Sequence, residues 1–167
     1  DGTQISASGS GVTYASGVES ESVVYNKLEI PRGGEFCLTL SDGTRVWLNS
    51  ETSIQYPVAF GAKERRVFVQ GEAYFEVAKD ANKPFTVQFM SSSVTVLGTS
   101  FNIRAYPEEK RSQTTLAEGS VRIYSPGSSM LLKPGEQAEV SALSGEMVKQ
   151  EVEVKNFTSW KDGRFVF

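Results

Sequence analysis

From Val23 onward the apolar residues come in short alternating runs broken by Gly, Pro and Asp, and no window carries the i, i+3, i+4, i+7 stripe of an amphipathic helix. A chain patterned this way buries one face of each strand, so the sequence predicts an all-β fold. The strands share a shape: an apolar residue, a glycine within two or three positions, then an alternating apolar pair. It recurs over Leu40–Leu48, Val69–Tyr74, Val96–Ile103, Leu116–Ile123 and Leu132–Val140, with turn glycines at Gly43, Gly71, Gly98, Gly119 and Gly135. Their spacings of 28, 27, 21 and 16 residues are too uneven for a regular solenoid. They suit two facing twisted sheets, forming a sandwich or an irregular, solenoid-like β-roll. The prolines, at Pro31, Pro57, Pro84, Pro107, Pro126 and Pro134, fall beside the strands, where a missing N–H breaks no ladder.

One hairpin fixes its own register. A two-residue Asp-Gly turn after Leu40 would set Leu40 opposite Arg45 and send the two apolar sets to opposite faces. A three-residue loop over Ser41, Asp42 and Gly43, with Gly43 left-handed, pairs Leu38 with Val46 and Phe36 with Leu48. The alternation makes Phe36, Leu38, Val46, Leu48, Val67, Val69, Phe85, Val87, Val96, Phe101, Ile103, Val121 and Ile123 the expected core.

Much chemistry is excluded by what the 167 residues lack. With no histidine, there is no Ser-His-Asp triad, Cys-His pair or HExxH zinc site. The single cysteine, Cys37, has no internal disulfide partner and reads as a small packed residue rather than a reactive thiol. A net charge of −3 offers no basic footprint for nucleic acid. No run of about eighteen apolar residues spans a bilayer. Four scattered aspartates argue against a calcium site, and no metal, cofactor or small-molecule substrate is expected.

The remaining candidates are weak. Glu72 and Glu76 flank Tyr74 on one strand face, but lie about 13 Å apart at about 3.3 Å per residue, too far for a glycosidase pair; an exposed strand edge is the simpler reading. Lys63 to Arg66 and Glu108 to Arg111 read as solvated, mixed-sign segments. Trp47 and Trp160 have the rings to stack on a sugar, although aromatics in β proteins are more often core or sheet-face residues. The residues alone stop at an all-β, non-enzymatic module; a carbohydrate-binding or adhesion module is one reading, and it requires a flat row of exposed aromatics or a calcium site.

The order of several blocks carries a resemblance: Arg32 to Glu35, Leu40 to Asn49, Arg66 to Ala78 with its GEAYFEV run, Lys83 to Val87, and Val96 to Asn102 with its VLGTSFN run. Leu116 to Val121 and Leu132 to Gly135 continue it. From about Lys27 to Val140 the chain resembles the FecR family of anti-sigma factors. The resemblance implies the periplasmic domain of a single-pass inner-membrane protein. Such a protein relays a signal from the signalling domain of a TonB-dependent outer-membrane transducer to an extracytoplasmic-function sigma factor, held by a cytoplasmic part not in this sequence. The chain begins at Asp1 without Met, so an upstream membrane segment is expected.

The resulting division is a flexible Gly/Ser-rich linker over residues 1–22, the all-β domain over 23–156, and the onset of a C-terminal receiver domain over 157–167. In the last part, Trp160 to Phe167 resembles the receiver's first strand, and Trp160, Phe165 and Phe167 are the expected partner-binding residues.

Overall fold

The computed structural model describes residues 24–162. The expected linker, residues 1–22, and the candidates Phe165 and Phe167 lie outside the described residues. Thirteen strands are described: β1 Tyr25–Glu29, β2 Phe36–Thr39, β3 Arg45–Leu48, β4 Ser53–Pro57, β5 Arg65–Glu76, β6 Phe85–Phe89, β7 Ser92–Val96, β8 Ser100–Ala105, β9 Arg111–Glu118, β10 Val121–Ser125, β11 Ser128–Leu132, β12 Glu136–Ser141 and β13 Met147–Glu151. A single helical turn, α1 (Lys155–Thr158), and a 3-10 turn, Ser159–Asp162, follow. The all-β expectation holds.

β5 belongs to two sheets. Its first half, Arg65 to Gln70, lies between β4 and β6 in sheet A, which runs β11, β10, β7, β6, β5, β4, β1. Its second half, Gly71 to Glu76, lies between β3 and β8 in sheet B, which runs β2, β3, β5, β8, β9, β12, β13. Crossing into sheet B carries the chain away, and residues 77–84 bring it back, so β6 runs parallel to the first half of β5. The two sheets, continuous through β5, wrap one apolar core. Phe75 of sheet B stacks on Phe101 at 5.1 Å between ring centroids and meets Phe85 of sheet A edge-on at 6.0 Å.

The crossing point is Gly71, expected as a turn glycine and found inside the strand. Its φ is +120°, and a β-carbon there would stand 2.7 Å from Thr52 Cα. Only glycine accepts both the angle and the approach. Gly43 behaves as expected, with φ +93°, and the hairpin pairs Leu38 with Val46 and Phe36 with Leu48.

Eleven of the thirteen expected core residues are buried, Val46, Leu48, Val67, Phe85, Val87, Phe101, Ile103, Val121 and Ile123 completely. Phe36 is 46% exposed and Leu38 only partly buried, because β2 is an edge strand paired with β3 alone. Alternation gives the right face but not whether a neighbouring strand covers it. Cys37, expected as packed, is exposed on the same edge for the same reason.

Candidate functional site

In sheet B the pleat of β5 turns Ala73 and Phe75 inward and Glu72, Tyr74 and Glu76 outward. Outward does not mean solvated here: Glu72 is 5% exposed. Its Oε1 accepts from Asn49 Nδ2 at 3.0 Å and from Arg104 Nη1 at 3.4 Å, and its Oε2 accepts from Asn102 Nδ2 at 2.9 Å. Its backbone N–H donates to Thr52 Oγ1 at 2.9 Å, tying β5 to the start of β4. Arg104 is shared with Glu109, which takes a two-pronged pair at 3.0 and 2.6 Å and is the main cause of the guanidinium's raised pKa. Arg104 also lies 5.0 Å over the ring of Tyr106, whose hydroxyl donates to Ser50 O at 2.8 Å and is pushed up chiefly by burial.

This carboxylate joins two strands, β5 and β8, and the loop after β3. Both oxygens are occupied by fixed donors, so it serves as a rivet, without a free lone pair aimed at a cleft for acid-base work. Glu76 instead faces Arg45 at 4.0 Å. Each member of the expected pair thus has its own arginine. The expectation that Glu72 marks an exposed strand edge is also corrected, since β5 has partners on both sides in each sheet.

Beside Glu72 a second feature crosses the outer face of sheet B. Trp47, Tyr74, Asn102, Thr115, Gln137 and Gln150 are opposite one another on adjacent strands and form one row. The C-terminal turns lie over this row. Trp160 Nε1 donates to Asn102 Oδ1 at 3.0 Å, and Lys161 Nζ sits 4.7 Å from the ring centroid of Tyr74 and 5.8 Å from that of Trp47. Trp47 and Tyr74 meet edge-to-face at 5.8 Å, and Arg45 stands 4.9 Å from the Trp47 ring. Burial is the first cause of Tyr74's raised pKa. The expected receiver strand does not begin at Trp160: residues 159–162 form a 3-10 turn packed on the β domain.

The basic segment also departs from its solvated reading. Arg65 is 1% exposed, paired with Asp42 Oδ2 at 2.8 Å, and it donates to the carbonyls of Ala78 at 2.7 Å and Lys83 at 2.8 Å. In the acidic loop, Glu109 holds Arg104 and so has a structural task. The sequence reading missed Asn49, Asn102 and Arg104 entirely. Asn102 left one trace, a polar residue between Phe101 and Ile103, but its partners come from strands far away in sequence.

Among the described residues, no group of three His, Cys, Asp or Glu side chains is placed to hold a metal ion, and no helix is long and apolar enough to cross a membrane. Two open depressions lie on sheet A, one of about 280 Å³ over Lys27, Gln55, Phe68 and Gln88, the other of about 440 Å³ over Leu97, Arg122, Tyr124 and Leu131. The flat aromatic row that a sugar-binding surface requires is not assembled: the exposed large aromatics among the described residues are Phe36 on sheet B and Tyr124 on sheet A, and Lys161 stands over the Trp47 ring.

Fold and site together define a β-roll module whose buried polar groups tie strands to one another. Residues 26–122 match the model of the family described as FecR protein, and the chain belongs to that family. Two crystal structures, each of a candidate anti-sigma factor from Parabacteroides distasonis ATCC 8503, share its fold with a TM-score of 0.80 and 37% identity. The match covers 83% of this chain and 65% of each of theirs, so the chain spans less than two thirds of their length. Among curated proteins no match is found.

Proposed function

We propose that this chain is the β domain of an anti-sigma factor, acting outside the cytoplasm as the middle of a relay. In this reading a TonB-dependent transducer's signalling domain contacts the protein in the periplasm, and an extracytoplasmic-function sigma factor is held by a cytoplasmic part across the inner membrane. The module is a coupler and not an enzyme. One observation carries the reading: the FecR match over residues 26–122, on a fold shared at 37% identity with candidate anti-sigma factors. The site supports it, because Glu72, Arg104, Asn102 and Trp160 are spent on holding segments together.

In this scheme residues 1–22 tether the domain, and the transducer is received beyond Asp162, where Phe165 and Phe167 would meet it beside Trp160. The test is calorimetric titration of the transducer's signalling domain against the natural full-length protein and against this chain. The full-length protein is expected to bind, and this chain to bind at least about tenfold more weakly, a difference of about 1.4 kcal/mol. Equal affinity would move the contact onto the β domain. Failure of both to bind would remove the transducer from the scheme.

A further inference from the structure

The outer face of sheet B has an unusual combination of polarity and burial. Asn102, Thr115 and Gln137 point away from the apolar core, yet they are 2%, 1% and 0% exposed. Apart from Asn102 Oδ1, which accepts from the Trp160 indole N–H, their polar groups bond within the sheet. Gln137 Nε2 donates to Thr115 Oγ1 at 2.9 Å, Gln150 Nε2 donates to Gln137 Oε1 at 3.0 Å, and Asn102 Nδ2 donates to Glu72. The C-terminal segment 155–162 meets this row through the indole N–H of Trp160 on Asn102 and the ammonium of Lys161 over Tyr74 and Trp47.

We infer that this face of sheet B is an interaction surface whose occupant is the chain's own segment 155–162, held as a releasable clasp that opens while the β domain stays folded.

Three observations lead there. Beyond the Trp47–Tyr74 pair the covered row is polar and bonded to itself, so release uncovers two aromatic rings near the β2 edge and frees Asn102 Oδ1, while the central core stays closed. The segment docks through side chains, while its backbone bonds run internally, Asn156 N to Glu153 O, Phe157 N to Val154 O and Thr158 N to Val154 O. No ladder has to be broken for it to leave. The core, with Phe75, Phe101 and Leu116 fully buried, lies on the opposite face and does not depend on the segment. A turn held by a few side-chain contacts opens at a smaller free energy than the sheet beneath it.

The closed clasp sets Lys161 over Tyr74 and Trp47, two strands or fewer from the β2 edge, and so fixes where the following chain leaves the domain. A displacement of that chain would reach the sheet through Trp160, Asn102, Glu72 and Asn49 in turn. Release is a property of this chain alone; only its use in signalling rests on the relay reading.

Hydrogen exchange on the full chain tests it, comparing the natural sequence with Trp160→Phe, which keeps a ring but removes the donor, and with Lys161→Met, which keeps length but removes charge. In the natural chain the amides of residues 156–158 are expected to exchange more slowly than in an unstructured peptide and faster than those of β5 and β8. Each variant is expected to speed the segment's exchange, Trp160→Phe by about tenfold, with β5 and β8 unchanged. Exchange of the segment in step with β5 and β8 would make it a fixed part of the fold and overturn the inference. Absence of protection in the natural chain would overturn it too, because nothing would be clasped. No transducer or sigma factor enters the measurement, so the clasp and the relay fail separately.

Discussion

Replacing Arg65 by Met keeps length and apolar bulk beside Phe85, whose ring lies 5.4 Å from the guanidinium, but removes the donors that gather four segments. Nη1 reaches Asp42 at 2.8 Å and Ala78 O at 2.7 Å, Nε reaches Lys83 O at 2.8 Å, and Nη2 makes longer bonds to Asp80 O at 3.4 Å and Leu97 O at 3.3 Å. The substitution strips the two shortest carbonyl bonds from a side chain 1% exposed. At about 1–3 kcal/mol for each buried group left unpaired, the two carbonyls together account for about 2–6 kcal/mol. Asp42 adds less than a bare buried charge, since Thr44 still supplies its N–H at 2.9 Å and its hydroxyl at 2.8 Å. The expected loss is therefore about 3–5 kcal/mol, as for breaking a buried pair from one side. Asp42→Asn, which leaves Arg65 its carbonyls, is expected to cost less, about 1–2 kcal/mol. Urea unfolding followed by tryptophan fluorescence measures both, as a lower midpoint at unchanged slope. A loss below about 1 kcal/mol for Arg65→Met would mean that water reaches the carbonyls, and the clamp argument would be wrong.

Three further outcomes are expected. Phe101→Ala removes a fully buried ring stacked on Phe75, and chemical denaturation should register a loss of about 3–5 kcal/mol; a cost below about 1 kcal/mol would mean the core closes over the gap. Gly71→Val forces a β-branched side chain into φ +120° against Thr52, so thermal unfolding should show severe destabilisation, whereas a mild effect would mean that β5 crosses between sheets without needing glycine. Tyr25, Tyr56, Tyr74 and Tyr106 all have hydroxyl pKa values raised, with burial the first cause in each. Folded tyrosines then hold their protons more tightly than unfolded ones, so their contribution is complete below about pH 10 and is lost as pH rises through the folded values. Melting temperature should fall above about pH 10, and a flat profile there would contradict the burial argument.

The strand pattern, the Gly43 hairpin and eleven core positions were legible because each depends on period two and a local turn. What remained hidden depends on contacts between strands far apart in sequence. Gly71 looks like a turn glycine until β4 brings Thr52 against it. Arg65 looks like part of a charged surface run until Asp42, 23 residues earlier, folds over it. Glu72 and Asn102, 30 residues apart, become one cluster only when β5 and β8 pair, and Trp160 joins it across 58 residues. The blocks GEAYFEV and VLGTSFN contain Glu72 and Asn102, yet nothing in either block says that the two side chains meet. At the C-terminus the resemblance implied a strand from Trp160, and the structure corrects its first residues alone: Ser159–Asp162 form a 3-10 turn docked through Trp160, a contact with Asn102 that no local pattern carries.

Restraint of a sigma factor is a property of living cells, and it shows in which genes they transcribe. The decisive measurement is transcript sequencing after deletion of the protein's gene in the native bacterium. Transcripts dependent on one extracytoplasmic-function sigma factor are expected to change together, and the intact gene to restore them. An unchanged pattern for every such sigma factor, with or without the transducer's inducer, would contradict that restraint.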